Sequence, residues 1–218
     1  MSLFARTRST NPTFTILTVC TGNICRSPMA EQYLRFGLHR AGVTAVSVES
    51  AGTMAQDAQD MPEQAQVLAR SYGLPESRHS SRYLFEGHIA GADLVFGMAL
   101  EHRRSVVSLF PRASRYSFTL REFARLAEGV VAEDLAEAAN IPLSDTAERL
   151  RSAVSVVAAR RGLIPTPEDV LDDDVVDPYR KDDATFVQSG QQLVPAADVA
   201  ISLFALAATV EPSVETSR

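Results

Sequence analysis

The chain has 218 residues, 45% of them hydrophobic, with two cysteines and a formal net charge of -6. That composition suits one globular domain with a sizeable core, and two cysteines exclude a disulfide framework or a four-cysteine zinc site, as expected of a reducing, cytoplasmic setting. The charge is uneven: residues 124–176 hold 5 Arg against 11 Asp plus Glu, leaving 16 against 16 elsewhere, so there is no basic stripe of the kind that nucleic acid requires.

Flexible tails are expected at 1–12 and 211–218 around a single domain at 13–210. Residues 1–11 do not read as a signal peptide, because the apolar run that follows is short. That run, 14–19, reads as a first strand, and residues 29–41 read as a helix. Between them lies Cys20-Thr21-Gly22-Asn23-Ile24-Cys25-Arg26-Ser27-Pro28. Pro28 falls at an expected first helical position, where its missing N–H is harmless. A loop turning from a strand into a helix N-terminus aims backbone N–H groups inward, and the helix dipole adds positive charge at the same spot. Such a loop cradles phosphate. The N–H groups, Arg26 and the Ser27 hydroxyl all favour the anion of a thiol at its base, which makes Cys20 a candidate nucleophile beneath a bound phosphate. Cys25 has two readings: a small buried residue, or a partner that traps oxidised Cys20 as a disulfide.

The stretch Val19 to Glu31, VCTGNICRSPMAE, resembles the signature of the low-molecular-weight protein tyrosine phosphatases. The resemblance implies an α/β fold of three αβα layers, with a four-stranded parallel sheet and the phosphate-binding loop after the first strand. It also implies that Cys20 and Arg26 are catalytic, that Thr21, Gly22, Asn23, Ile24, Cys25 and Ser27 surround the substrate phosphate, and that neither metal nor cofactor is needed.

After Gly42, residues 43–49 read as a second strand, parallel to the first. Ser50-Ala51-Gly52-Thr53 leaves its C-terminal end, where ligands sit in open α/β sheets, and Met54, Ala55, Gln56 and Asp57 follow where family members often carry an aromatic. Helices are expected at 61–72 and 83–91. Between them His79 matches a family histidine that hydrogen-bonds the loop asparagine, here Asn23; His39, His88 and His102 match nothing and read as surface residues. Residues 92–98 suit a buried third strand and 100–109 a helix. Met98-Ala99 stands where the family has Met-Asp, so a cap or polar contact is missing there. A fourth strand is expected at 112–120, with Thr119 capping a helix through 126.

Residues 127–174 read as an inserted helical hairpin, since small family members are shorter here. It contains a helical piece at 130–139 and a helix from Ser144-Asp145-Thr146 with Ala147, Leu150, Val154, Val157 and Ala158 on one face. It is either a packing elaboration or a lid or docking face. Asp172-Asp173-Asp174 reads as a solvated charge run in preference to a metal site. Asp177-Pro178-Tyr179 matches the family's acid loop: the resemblance makes Asp177 the proton donor and Tyr179 part of the pocket wall, with Arg180 where a second aromatic is frequent. Residues 183–209 read as a helix that Pro195 should kink or split. The apolar run 199–210 within it is about half of what a bilayer requires, so a buried helix is expected and no membrane span.

The expected activity is hydrolysis of aryl phosphate monoesters, phosphotyrosine in a protein substrate, through a phosphocysteine. A bacterial tyrosine kinase is the partner the resemblance suggests. Three rivals remain: a thiol-coupled arsenate reductase, which relays oxidation through cysteines that this chain lacks beyond Cys25; a protein-arginine phosphatase, which has Thr where Ile24 stands; and an inactive phosphate-binding module, against which intact Cys20, Arg26, Ser27 and Asp177 argue.

Overall fold

A computed structural model describes residues 12–212, so the expected tails lie outside the described residues apart from positions 12, 211 and 212. Four parallel strands, β1 (Phe14–Cys20), β2 (Val46–Gly52), β3 (Leu94–Gly97) and β4 (Ser117–Thr119), pair in the order β2-β1-β3-β4. The helices are α1 (Arg26–Arg40), α2 (Glu63–Ser71), α3 (Glu86–Ala90), α4 (Leu100–Leu109), α5 (Leu120–Ala127), α6 (Ala136–Ala139), α7 (Thr146–Ala159) and α8 (Asp183–Thr209). Side chains alternate across β1. Phe14 and Ile16 enter a large core with α1, α5, α7 and α8, whereas Leu17 and Val19 enter a smaller one with α3 and α4. This is the expected three-layer α/β fold, and it puts the loop after β1 at the C-terminal edge of the sheet.

Several boundaries move for physical reasons. Arg26 opens α1, so Pro28 is its third residue, still among the positions whose N–H has no intrahelical partner. Residues 43–45 do not join β2: Gly42 has φ +77°, and Gly42 N and Val43 N donate to His39 O and Leu38 O, closing α1 in a Schellman motif. Residues 111–115 form one 3-10 turn, which leaves only three residues for β4. Tyr83 bridges Gly52 in extended form, which shortens the expected helix to α3. Thr119 caps α5 as expected, and Glu122 completes a capping box with it. Pro195 does not split α8, which runs unbroken through it; the proline and Gln191, whose carbonyl loses its helical partner, are both exposed, so water can satisfy that carbonyl.

By length and composition alone α8 could cross a bilayer. Its Phe186, Leu193, Ala197, Ala200, Phe204 and Ala207 are buried in the main core, where it packs on α1, α5 and α7. The inserted helix α7 lies against β1, α5 and α8, with Ala147, Leu150, Val154 and Val157 buried. Arg149, 1% exposed, donates to the carbonyls of Ala207 (2.9 Å) and Val210, satisfying groups that end α8, and to that of Ile141 (2.5 Å) in the loop before α7. Arg151 pairs with Asp93 at 2.8 Å, and Asp93 also accepts from Thr15 N at 3.0 Å. The hairpin is thus pinned to the N-terminal ends of β1 and β3, opposite Cys20, and this placement does not make it a lid over the loop.

Candidate active site

β1 ends at Cys20, paired with Gly52 of β2. A Cβ on Gly52 would come within 2.6 Å of Thr21 O and 2.9 Å of Asn23 N, so the loop can lie against β2 only because that residue is glycine. Asn23 takes the left-handed region at φ +53°, which asparagine tolerates better than most residues. Its buried side chain is the hub of the loop: Nδ2 donates to Ser27 Oγ (3.0 Å) and Ser50 Oγ (2.9 Å), and Oδ1 accepts from Arg82 N (2.9 Å). Ser50 Oγ in turn donates a hydrogen bond to Glu31 Oε2 at 2.6 Å. His79 Nε2 donates to the Asn23 carbonyl at 2.6 Å, so the expected His79 to Asn23 contact is made through the backbone oxygen.

Cys20 Sγ, 2% exposed, accepts from Asn23 N at 3.3 Å and lies 3.0 Å from Ser27 Oγ. Ser27 Oγ accepts from Asn23 and lies 3.5 Å from the Ala51 carbonyl, to which it can donate; as a thiolate, the sulfur becomes the stronger acceptor for the same proton. Arg26, nearly buried, donates through Nη1 to Val175 O at 3.1 Å and pairs through Nη2 with Asp177 Oδ2 at 2.8 Å. Asp177 is half-exposed, and its Oδ1 accepts from Tyr179 N at 3.1 Å. A cavity of about 410 Å³ joins these groups, lined by Cys20, Thr21, Gly22, Ile24, Cys25 and Arg26 of the loop, by Asp177, Tyr179 and Arg180, and by Met54, Gln56 and Gln59. Every residue expected at the site borders this cavity except Asn23, Ser27 and His79, which hold the loop from behind.

The sequence pattern of the family described as low molecular weight phosphotyrosine protein phosphatase matches residues 15–137. The chain belongs to this family. It is 35% identical over 120 residues to a protein-arginine-phosphatase of Geobacillus stearothermophilus, 55% of this chain and 78% of the relative. It is also 35% identical over 108 residues to the probable low molecular weight protein-tyrosine-phosphatase EpsP of Ralstonia solanacearum, 50% of this chain and 71% of the relative. Among solved structures, the low molecular weight protein tyrosine phosphatase of T. tengcongensis superimposes with a TM-score of 0.61 at 28% identity, over 87% of this chain and 99% of that one.

In this member of the low-molecular-weight phosphatase family, residues 173–175, just before Asp177, are each tied into the body. Asp173 pairs with Arg125 at 2.6 Å, and its carbonyl accepts from Thr119 Oγ1 at 2.6 Å. Asp174 Oδ1 accepts from Leu100 N at 2.7 Å, and its carbonyl accepts from Arg121 at 2.8 Å. Val175 N donates to Met98 O at 2.8 Å. Asp173 and Asp174 are therefore structural clasps, and only Asp172 of the three is an exposed charge. The contact that seemed absent at Ala99 is supplied by Asp174, from 74 residues away. Burial, with Glu101 nearby, raises the Asp174 carboxyl above its ordinary range, against the Leu100 N–H that lowers it.

Cys25 agrees with its reading as a small buried residue, whereas His102 departs from its own reading. Cys25 is buried, and that burial, with Cys20 and Asp177 adding, pushes its thiol up to about 12, so it stays protonated. His102 is not a surface residue: it is 1% exposed and its Nε2 lies 3.0 Å from Thr21 Oγ1. The available signal was position, since the helix after β3 begins at the sheet edge where ligands bind. His39 is exposed as expected, and the half-buried His88 accepts from Phe85 N at 3.2 Å as a local cap. Among the described residues no cluster of His, Cys, Asp and Glu is placed to hold a metal.

Proposed function

We propose that the chain hydrolyses aryl phosphate monoesters, with phosphotyrosine in protein substrates as the natural class, through a phosphocysteine on Cys20. The observation that carries this is the sulfur at the base of the cavity, addressed by Asn23 N–H and Ser27 Oγ, with Arg26 and Asp177 joined on the wall above it. Cys20 forms the S–P bond as the P–O bond to the leaving group breaks in line. When the phosphoryl group displaces Asp177, Arg26 donates to the equatorial oxygens, and the loop amides add to it as charge spreads in a loose transition state. Asp177, protonated in the productive complex once the phosphoryl group has taken its place on Arg26, gives its proton to the departing phenolate, then takes one from the water that breaks the S–P bond. Ser27 donates to the sulfur as it departs.

Ile24 and Tyr179 on the cavity wall favour a flat aryl group. The relationship to protein-arginine-phosphatases favours a second reading, phosphoarginine. Two free thiols support a cytoplasmic setting, and the EpsP relative supports a tyrosine-phosphorylated protein, such as a bacterial tyrosine kinase, as substrate. Turnover of phosphotyrosine, phosphoarginine and arsenate, the last with an external thiol, measured side by side, tests the assignment. Phosphotyrosine should be preferred and arsenate left unreduced; preference for phosphoarginine would transfer the assignment to that substrate.

A further inference from the structure

His102 sits in the first turn of α4, and it is the one partner of Thr21 Oγ1 among the described residues. Its other ring nitrogen, Nδ1, is buried with no hydrogen-bond partner there. A neutral imidazole carries one proton, and a buried N–H without a partner is rarer than an under-satisfied acceptor. The proton therefore belongs on Nε2, which makes Thr21 Oγ1 the acceptor and leaves the threonine's own hydrogen free. Thr21 borders the cavity beside Cys20 and Arg26, and its carbonyl is fixed by Met54 N at 2.9 Å. Two charged groups face the ring: Arg26, which opposes its protonation, and Glu101, whose Oε1 is 3.5 Å from Nε2 but which is largely in water. Burial, with Arg26 adding, pushes the imidazole down to about 3, so the direction of the bond does not reverse near neutral pH. The N-terminus of α4 is itself held by Asp174, so the ring has a fixed platform.

We propose that His102 is a positioning residue for the phosphoryl site: by donating to Thr21 Oγ1, it turns the Thr21 hydroxyl proton into the cavity as a further donor to a phosphoryl oxygen. The proposal rests on the phosphatase reading, but its test does not require turnover. Binding of inorganic phosphate to the full chain is measured by calorimetry for wild type, Thr21→Val, His102→Leu, the double variant and His102→Gln, with thermal unfolding and the pH profile of kcat/KM in parallel. A hydrogen bond to a charged group corresponds to roughly 10-fold to 100-fold in affinity. Thr21→Val and His102→Leu should each lose about that much, and the double variant should lose no more than either. His102→Gln, whose amide N–H reaches the same oxygen, should recover most of it, and the pH profile should keep its shape in every variant. Full phosphate affinity in Thr21→Val would overturn the proposal. So would additive losses, or a His102→Gln variant as weak as His102→Leu. Failure to turn over either phosphotyrosine or phosphoarginine while these binding differences persist would instead count against the phosphatase reading alone.

Discussion

The loop 20–26 and the acid segment 173–179 face each other across one cavity but are built in opposite ways. The loop rests on buried polar groups, Thr18, Asn23, Ser27 and Ser50, none more than 3% exposed, each hydrogen-bonded to another part of the same network. The acid segment is anchored at residues 173–176, but Asp177 and Tyr179 beyond the last anchor are half in water. The difference separates two tasks. Stabilising a transition state requires donors that do not reorganise, whereas the proposed proton donor must reach its leaving group and then water, which a side chain open to solvent can do once its pair with Arg26 opens.

Substitutions on the two sides should fail differently. Cys20→Ser should lower turnover of p-nitrophenyl phosphate on the order of 10⁴-fold or more with the fold intact by circular dichroism. Asp177→Asn should cost about 100-fold to 10,000-fold for phenyl phosphate and far less for p-nitrophenyl phosphate, whose leaving group needs little help. Equal losses on the two would remove Asp177 from the acid role. Asn23→Ala strips the hub and leaves Ser27, Ser50 and Arg82 N short of a partner, so urea unfolding should show a loss of about 2–4 kcal/mol together with weaker phosphate binding.

The buried imidazole gives the loop side a pH signature. Because His102 titrates at about 3 when folded against 6.5 when free, the unfolded chain binds the extra proton between those values. Stability is therefore complete above pH 6.5 and falls as the pH drops, by about 2 kcal/mol at pH 5 from this group. His102→Gln should flatten that part of the curve. At the other extreme, Cys25 keeps its proton to about 12 against 9.0 when free, so stability from that group is lost as pH rises above 9. The smallest effect should be Asp174→Ala, which removes the cap of α4 and should cost about 1 kcal/mol in thermal unfolding, with turnover reduced less than in Asn23→Ala.

What could be read in the sequence follows the same division. The loop is contiguous, so its strand, its thiol and the arginine six positions on were visible together, and Asp177-Pro178-Tyr179 was visible as a motif. The contacts that complete the site join residues far apart: Thr21 with His102, Leu100 with Asp174, Arg26 with Val175. No local pattern announces them, because burial and not residue type makes them. A histidine on a helix looked like surface, and a run of three aspartates looked like solvated charge, until packing placed His102 under the loop and turned Asp173 and Asp174 inward. Pro195 misled for the converse reason: its cost depends on which face of α8 it occupies, and that face is set by α1, α5 and α7.

The central claim is that the sulfur of Cys20 becomes covalently phosphorylated during turnover. Acid-quenching the protein milliseconds after mixing with an aryl phosphate, followed by peptide mass spectrometry, tests it most directly. The expected result is one phosphoryl group on the peptide containing Cys20, more of it in Asp177→Asn with a good leaving group, and none in Cys20→Ala. Phosphorylation of a different residue, or steady turnover with no phosphorylated protein at any time, would contradict it.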